Sequence, residues 1–249
     1  DTANAQPLIV AAGLLSARAL SAHGQFKFVA GHSVGEITAA AIAGVLTPLD
    51  AMKLVRVRGV EMAKAAAASP AGMSAVLGGD RSEVLAAIAA LNLVAANDNG
   101  AGQIVAAGDL SALVQLSENP PASARVRALA VAGAFHTSYM QPAVESLRAK
   151  AATIATHPVQ INVISNKDGE VVSDGAEVLT RIVNQIANPV RWDLCMETMK
   201  SLGVTGVIEL PPAGTLVGLL KRATSEIETF ALKSADDLPA AREFAERHK

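Results

Sequence analysis

The sequence predicts an α/β fold in two parts: an α/β layer with a parallel sheet, and a smaller β-α-β-β-α-β unit inserted into it. Three observations carry that expectation. Short runs rich in Val, Ile and Phe alternate with longer Ala- and Leu-rich runs whose apolar residues recur at spacings of three and four. Residues 73–132 change character and carry a strand-helix-strand-strand-helix-strand order of their own, that of a ferredoxin-like unit. Beyond residue 132 the helix and strand alternation resumes, as in an interrupted layer.

Taken in order, PLIVAAGLLSARALSA over 7–22 has helical composition and period. FKFVAG is short and rich in Phe and Val, a strand, and a glycine-punctuated turn leads from it into VGEITAAAIAG, a helix stopping near Gly44. Thr47-Pro48-Leu49-Asp50 opens the next helix with a capping hydroxyl, a proline at the first helical position and an early acid; it runs to the Ser69-Pro70 break. Within the inserted unit MSAVLGG, LVAAND, QIVAAG and ARVRALAV read as strands, and RSEVLAAIAAL and DLSALVQLS as helices. Then come a helix over 138–155, a VQINVIS strand, a turn at Asn166-Lys167-Asp168-Gly169, a helix over 174–187, a VTGVIEL strand and a helix from Gly214.

Composition narrows the function. A chain of 249 residues, 51% hydrophobic, can bury a substantial core. With 18% charged residues and a net charge of -2 it carries no electrostatic footprint for nucleic acid or an anionic membrane. Its longest apolar runs, LIVAAGLL and ALAVAGAF, fall short of the ~20 residues a spanning helix needs. The single cysteine, Cys195, excludes an internal disulfide and a thiolate metal cluster, fits a reducing cytoplasm, and is expected in the core.

The chemistry-bearing candidates begin at Gly31-His32-Ser33-Val34-Gly35. Between a strand and a helix this Gly-x-Ser-x-Gly spacing suits a strained elbow that lifts a serine hydroxyl above the sheet, beside helix-terminal amides that can hold an oxyanion. The alternative is an ordinary hydroxyl in a small-residue loop. A nucleophilic serine needs a base, and there are five histidines. His23 and His157 fall in polar connections, His248 at a terminus where chains fray, and His32 too close to Ser33 for its side chain to serve. His136, where the chain returns from the inserted unit, is the remaining base, set against a structural hydrogen-bonded role. Arg58 lies partly on an apolar helical stripe; by spacing alone an exposed Arg58–Glu61 pair is favoured, while a pocket-facing guanidinium would suit a carboxylate.

Together these residues resemble the malonyl-CoA:acyl carrier protein transacylases and the related acyltransferase domains of polyketide synthases, most closely the actinobacterial fatty-acid-synthase form. The resemblance spans essentially the whole chain. It rests on Gly31-His32-Ser33-Val34-Gly35-Glu36, Val57-Arg58-Gly59, Asn97-Asp98-Asn99-Gly100-Ala101-Gly102-Gln103, Gly133-Ala134-Phe135-His136, Asn188-Pro189-Val190-Arg191-Trp192 and Pro211-Pro212-Ala213-Gly214-Thr215-Leu216. It implies an α/β-hydrolase-like core with a parallel sheet, residues 1–72 and 133–249, plus the ferredoxin-like subdomain, residues 73–132. It implies Ser33 as nucleophile, His136 as general base and acid, the backbone carbonyl of Gln185 orienting His136 in place of a carboxylate, and the Val34 amide as an oxyanion donor. Arg58 would pair with the malonyl carboxylate, and His32, Asn97 and Gln103 would help bind substrate. Phe135 would crowd a branched acyl group, a discrimination worth ~1–3 kcal/mol. No metal or cofactor is implied; coenzyme A and phosphopantetheine are substrate carriers, and the expected partners are malonyl-CoA and acyl carrier protein, with the enzyme a cytoplasmic monomer. Arg125, Arg127, Arg191, Lys221 and Arg222 are candidates for a basic rim that meets an acidic carrier protein.

In one respect the sequence departs from that family. The family starts with a strand leading into a Gly-Gln-Gly-x-Gln loop that gives a second oxyanion amide, and no such loop occurs here; further residues ahead of Asp1 are expected. Two rival readings remain. A serine esterase would place an acid and then a late histidine after the serine, and an inactive scaffold would bind carrier protein without acyl transfer.

Overall fold

A computed structural model describes residues 1–21, 26–131 and 133–249. The reading of His23 as a bystander lies outside the described residues. In chain order the elements are α1 (Thr2–Ser21), β1 (Phe28–Ala30), α2 (Gly35–Ile42), α3 (Pro48–Ala67), β2 (Ala71–Gly78), α4 (Arg81–Ala90), β3 (Val94–Asp98), β4 (Gln103–Asp109), α5 (Leu110–Glu118) and β5 (Ala124–Ala128). They continue with α6 (Gln141–Ala151), β6 (Asn162–Ile164), β7 (Val171–Val172), α7 (Gly175–Gln185), β8 (Val190–Arg191), α8 (Trp192–Ser201), β9 (Gly206–Glu209), α9 (Thr215–Ala223), β10 (Glu228–Ala231) and α10 (Leu238–Arg247).

Local chemistry sets many of these boundaries. The Thr47 hydroxyl accepts the Asp50 amide at 3.1 Å with Pro48 at the first turn of α3. Asp80 and Asp109 cap α4 and α5 in the same way, each carboxylate taking two amides of the following turn. Helix α3 is the central element, lying against α1 and α6. The largest apolar cluster surrounds it, with Val10, Ile37, Leu54, Val55, Met62, Met140, Leu147 and Ile182 all buried.

Strands β1 and β6 pair in parallel, as do β9 and β10, and β7 adds antiparallel to β6. The remaining sheet has the order β5-β2-β4-β3-β8; each neighbouring pair among its first four strands is antiparallel, and these strands cover a separate apolar cluster that includes Val76, Ile88, Ile104 and Leu116.

Several details differ from expectation. Strand β2 begins at Ala71 rather than 73, because Ala71 and Gly72 continue the ladder opposite Asp109 and Gly108. Strand β8, from beyond residue 132, pairs in parallel with β3 through Asn97 and Asp98 and so joins the sheet built by β2 to β5. Helices α8 and α10 and strand β10 were not anticipated. Buried Trp192, Cys195, Met196 and Met199 do recur at helical spacing in α8, whereas α10 buries only Ala241 and Phe244 and reads as polar. His248 does not fray: Nδ1 lies 3.0 Å from Thr205 Oγ1, and its ring centroid lies 4.5 Å from that of Phe244. Cys195 is buried as expected. Among the described residues no helix is long and apolar enough to cross a membrane.

Candidate active site

The turn between β1 and α2 has the strained geometry that its spacing suggests. Ser33 sits at φ 52°, in the left-handed region that a serine seldom occupies. Gly31 is required by space, since a Cβ there would lie 2.0 Å from the carbonyl carbon of Gly35. Gly35 is not: a Cβ on it would meet nothing within 4 Å. The amides of Ser33, Gly35, Glu36 and Ile37 are taken by Asn166 Oδ1, His32 O, Ser33 O and Val34 O. Among the described residues the Val34 amide has no such acceptor, which leaves it available to an incoming oxygen.

His136 comes from the segment following β5 and also lies at positive φ, 62°. Its Nε2 is 2.7 Å from Ser33 Oγ, and its Nδ1 is 2.9 Å from the carbonyl oxygen of Gln185, the last residue of α7. A carbonyl can only accept, so Nδ1 carries the proton and Nε2 faces the serine as the free base. Burial, at 4% exposure, and then the nearby Arg58 charge push the imidazole pKa down to about 3, against the opposing pull of the Gln185 carbonyl. The ring is therefore neutral at working pH without any carboxylate partner.

Arg58 projects from the middle of α3 at 1% exposure. Nη1 donates to Gln6 Oε1 at 2.5 Å, and Nη2 donates both to Gln185 Oε1 at 2.9 Å and to Ser33 Oγ at 3.1 Å. The exposed Arg58–Glu61 pair favoured by spacing alone does not form; Glu61 pairs with Lys64 instead. Burial lowers the guanidinium pKa to about 10, still well above neutrality. Ser33 Oγ thus has a base on one side and a fixed positive charge on the other, an arrangement that favours its alkoxide.

The other predicted residues are distributed around this centre. His32 Nε2 pairs with Asn99 Oδ1 at 2.9 Å, and its ring stands edge-on to Trp192 with centroids 5.7 Å apart, so its side chain is occupied away from Ser33. Phe135 is half-buried immediately before His136, where it packs on two apolar clusters. Asn97 is buried within β3. Gln103 Oε1 accepts from Arg222 at 3.2 Å at an exposed position. Among the described residues no hydrogen bond links Asn97 or Gln103 to Ser33, His136 or Arg58. Of the basic-rim candidates, Arg191 is bound through two bonds to Asp193 at 2.8 and 2.7 Å.

Sequence reasoning missed Gln6, Glu36, Asn166 and the side chain of Gln185. Asn166 Oδ1 holds the Ser33 amide at 2.8 Å, and Glu36, at 3% exposure, binds both Asn166 and Gln185. The available signal was polarity out of place: Gln6 ahead of LIVAAGLL, and Glu36 heading an almost wholly apolar helix.

Comparison with known proteins fits this geometry. The model of the acyl transferase domain family matches residues 1–243. The malonyl CoA-acyl carrier protein transacylase of Mycobacterium tuberculosis is 54% identical over 242 residues, covering 96% of this chain and 80% of the relative. The crystal structure of MCAT from Mycobacterium tuberculosis superposes with a TM-score of 0.94 at 53% identity, covering 97% of this chain and 82% of that one. A malonyl-transacylase solved in complex with a type II PKS acyl-carrier protein has a TM-score of 0.91 at 28% identity, with 97% and 81% of the two chains covered. The chain belongs to the acyl transferase domain family and, within it, to the malonyl CoA-acyl carrier protein transacylases.

Proposed function

We propose that this protein transfers a malonyl group from malonyl-CoA to the phosphopantetheine thiol of acyl carrier protein, in fatty-acid synthesis, through a malonyl-Ser33 intermediate. The observation that carries the mechanism is the convergence of His136 Nε2 and Arg58 Nη2 on Ser33 Oγ, at 2.7 and 3.1 Å. His136 takes the serine proton as Oγ attacks the thioester carbonyl, and the Val34 amide donates to the oxyanion. The tetrahedral adduct collapses, the C–S bond breaks, and His136 returns the proton to the departing coenzyme A thiolate. In the second half the carrier thiol gives its proton to His136, its sulfur attacks the malonyl-serine ester, and Ser33 recovers its proton as the C–O bond breaks.

Arg58 selects the acyl group. Its hydrogen-bond acceptors are the neutral oxygens of Gln6, Gln185 and Ser33, so among the described residues the guanidinium has no directly bonded carboxylate, and the malonyl carboxylate supplies one. Phe135 narrows the same space against branched acyl groups. His32, Asn97 and Gln103 contribute more remotely to donor binding. The same reading includes residues 1–72 and 133–249 as the catalytic part and 73–132 as a ferredoxin-like subdomain, supported by the separate apolar cluster beneath β2 to β5. It also includes a cytoplasmic monomer that needs no metal or cofactor. A serine esterase is disfavoured because the orienting group is the Gln185 carbonyl and because a buried arginine faces the nucleophile.

Intact-mass analysis tests the proposal. Mixing with malonyl-CoA is expected to yield a malonyl adduct that holo acyl carrier protein discharges and that Ser33→Ala lacks. Release of free malonate as fast as carrier protein is loaded would make the protein a hydrolase, and absence of any adduct in wild type would make it a scaffold.

A further inference from the structure

The steps above make no use of Glu36, a carboxylate buried in the first turn of α2. Its Oε1 accepts the Asn166 amide and its Oε2 accepts Gln185 Nε2, both at 2.6 Å. Those partners hold the site from two sides. The Asn166 side chain spans the elbow, with Oδ1 accepting the Ser33 amide at 2.8 Å and Nδ2 donating to Gly31 O at 2.8 Å. Gln185 Oε1 accepts Arg58 Nη2 at 2.9 Å, while its Nε2 is also 3.0 Å from Ser33 O.

A primary amide has one accepting and one donating side, a carboxylate only accepts and a guanidinium only donates. With Glu36 on one side and Arg58 on the other, a single orientation of the Gln185 amide satisfies both. Flipped, it would set NH2 against guanidinium and oxygen against carboxylate, two buried mismatches of the costly kind.

We propose that Glu36 is a positioning residue: through the Gln185 side chain it fixes the acceptor that aims Arg58 at Ser33 and at the incoming acyl carboxylate. This rests on the reading of Arg58 as the partner of that carboxylate. The groups that face Glu36 are Arg58 from α3, Gln185 from α7, Ser165 and Asn166 after β6, and Cys195 from α8; Arg181 lines the same crevice. Burial raises the Glu36 carboxyl pKa to about 7, with the Asn166 and Gln185 bonds and the Arg58 charge opposing it. Once protonated, Glu36 loses its charge and its strongest demand for a donor, so its hold on Gln185 weakens and only Arg58 and Ser33 O orient the amide. His136, with a pKa near 3, does not titrate in that window.

The test compares wild type, Glu36→Gln and Glu36→Asp in the full chain, with malonyl-CoA and acetyl-CoA as donors. In Glu36→Gln the KM for malonyl-CoA is expected to rise about tenfold, the scale of one charge-assisted hydrogen bond, while acetyl loading stays within about threefold of wild type. The acid limb near pH 7 in malonyl kcat/KM should vanish in Glu36→Gln and persist in Glu36→Asp, which keeps the charge. Equal losses for both donors, or a limb that survives in Glu36→Gln, would mark Glu36 as structural only and overturn the proposal. If Glu36→Gln does not fold, as judged by thermal unfolding, the wild-type and Glu36→Asp profiles decide: a limb for malonyl and none for acetyl supports the proposal, and parallel profiles overturn it. The wild-type malonyl adduct separates the two levels. No adduct overturns the transferase reading, whereas an adduct with unchanged malonyl KM in Glu36→Gln overturns this inference alone.

Discussion

The surroundings of Ser33 and the edge near Gln103 are both rich in polar side chains but are held in different ways. Around Ser33 the groups are buried and come from remote parts of the chain: Gln6 in α1, Glu36 in α2, Arg58 in α3, His136 after β5, Asn166 after β6 and Gln185 in α7. Near Gln103 the groups are more exposed apart from buried Asp98: Arg222 pairs with Gln103 at an exposed position, and the exposed Arg81 pairs with Asp98 in a cleft that Gln103 also lines. In the first region each bond is protected from water and depends on the others, so one change should propagate. In the second, solvent can replace what is lost, and changes should stay local.

The contrast can be tested from the largest expected effect downward. Replacing His136 by Gln removes the proposed base while retaining polarity, and acyl transfer should fall by roughly 10²–10⁴-fold in single-turnover loading. Arg58→Ala removes the charge proposed to face the acyl carboxylate and leaves the Gln6 and Gln185 oxygens without their donor. Malonyl kcat/KM should drop by about 10–100-fold, with a much smaller loss for acetyl-CoA. The two elbow glycines should separate cleanly in denaturant unfolding. Gly31→Ala forces a Cβ into backbone and should cost about 3 kcal/mol or more, whereas Gly35→Ala, in open space, should change stability by no more than about 1 kcal/mol. Gln103→Ala should alter donor KM by less than about fivefold and leave the serine acylation rate unchanged. A large rate loss there would erase the distinction between the two regions.

Stability against pH sharpens the same point. His136 is held near 3 in the fold against 6.5 for a free histidine, so the unfolded chain takes up its proton first and stability is lost as pH falls from 6.5 toward 3. Glu36 acts with opposite sign: with a folded pKa near 7 against 4.5, its contribution is lost as pH rises from 4.5 through 7. In the overlap the two oppose each other. In His136→Gln, urea unfolding should therefore expose a decline in stability with rising pH that the wild type masks.

Much of this site could be read in the chain because its chemistry is local. The elbow needs Gly31 beside Ser33 within one turn, and Thr47-Pro48 starts α3. The order β2-α4-β3-β4-α5-β5 was legible from strand runs bounded by glycines and by Asn and Asp. Arg58 marks the boundary of this reading: helical spacing offered Glu61 as partner, and only the packing of α1 against α3 and the placement of Gln185 at the end of α7 set the guanidinium on Gln6, Gln185 and Ser33. The Gln185 carbonyl, Asn97 and Gln103 entered through family resemblance, since nothing in their local pattern distinguishes them.

By itself the sequence determined the α/β alternation, the serine elbow, the capping of α3 and the class of acyl chemistry, because each depends on residues close together in the chain or on motifs in a fixed order. Tertiary structure alone decided that Gln6, Glu36, Asn166 and Gln185 form one buried network around Ser33. Hydrogen-bond partners such as Gln185 and Glu36 are brought together by the packing of α7 against α2, and removal from water makes each dependent on the next.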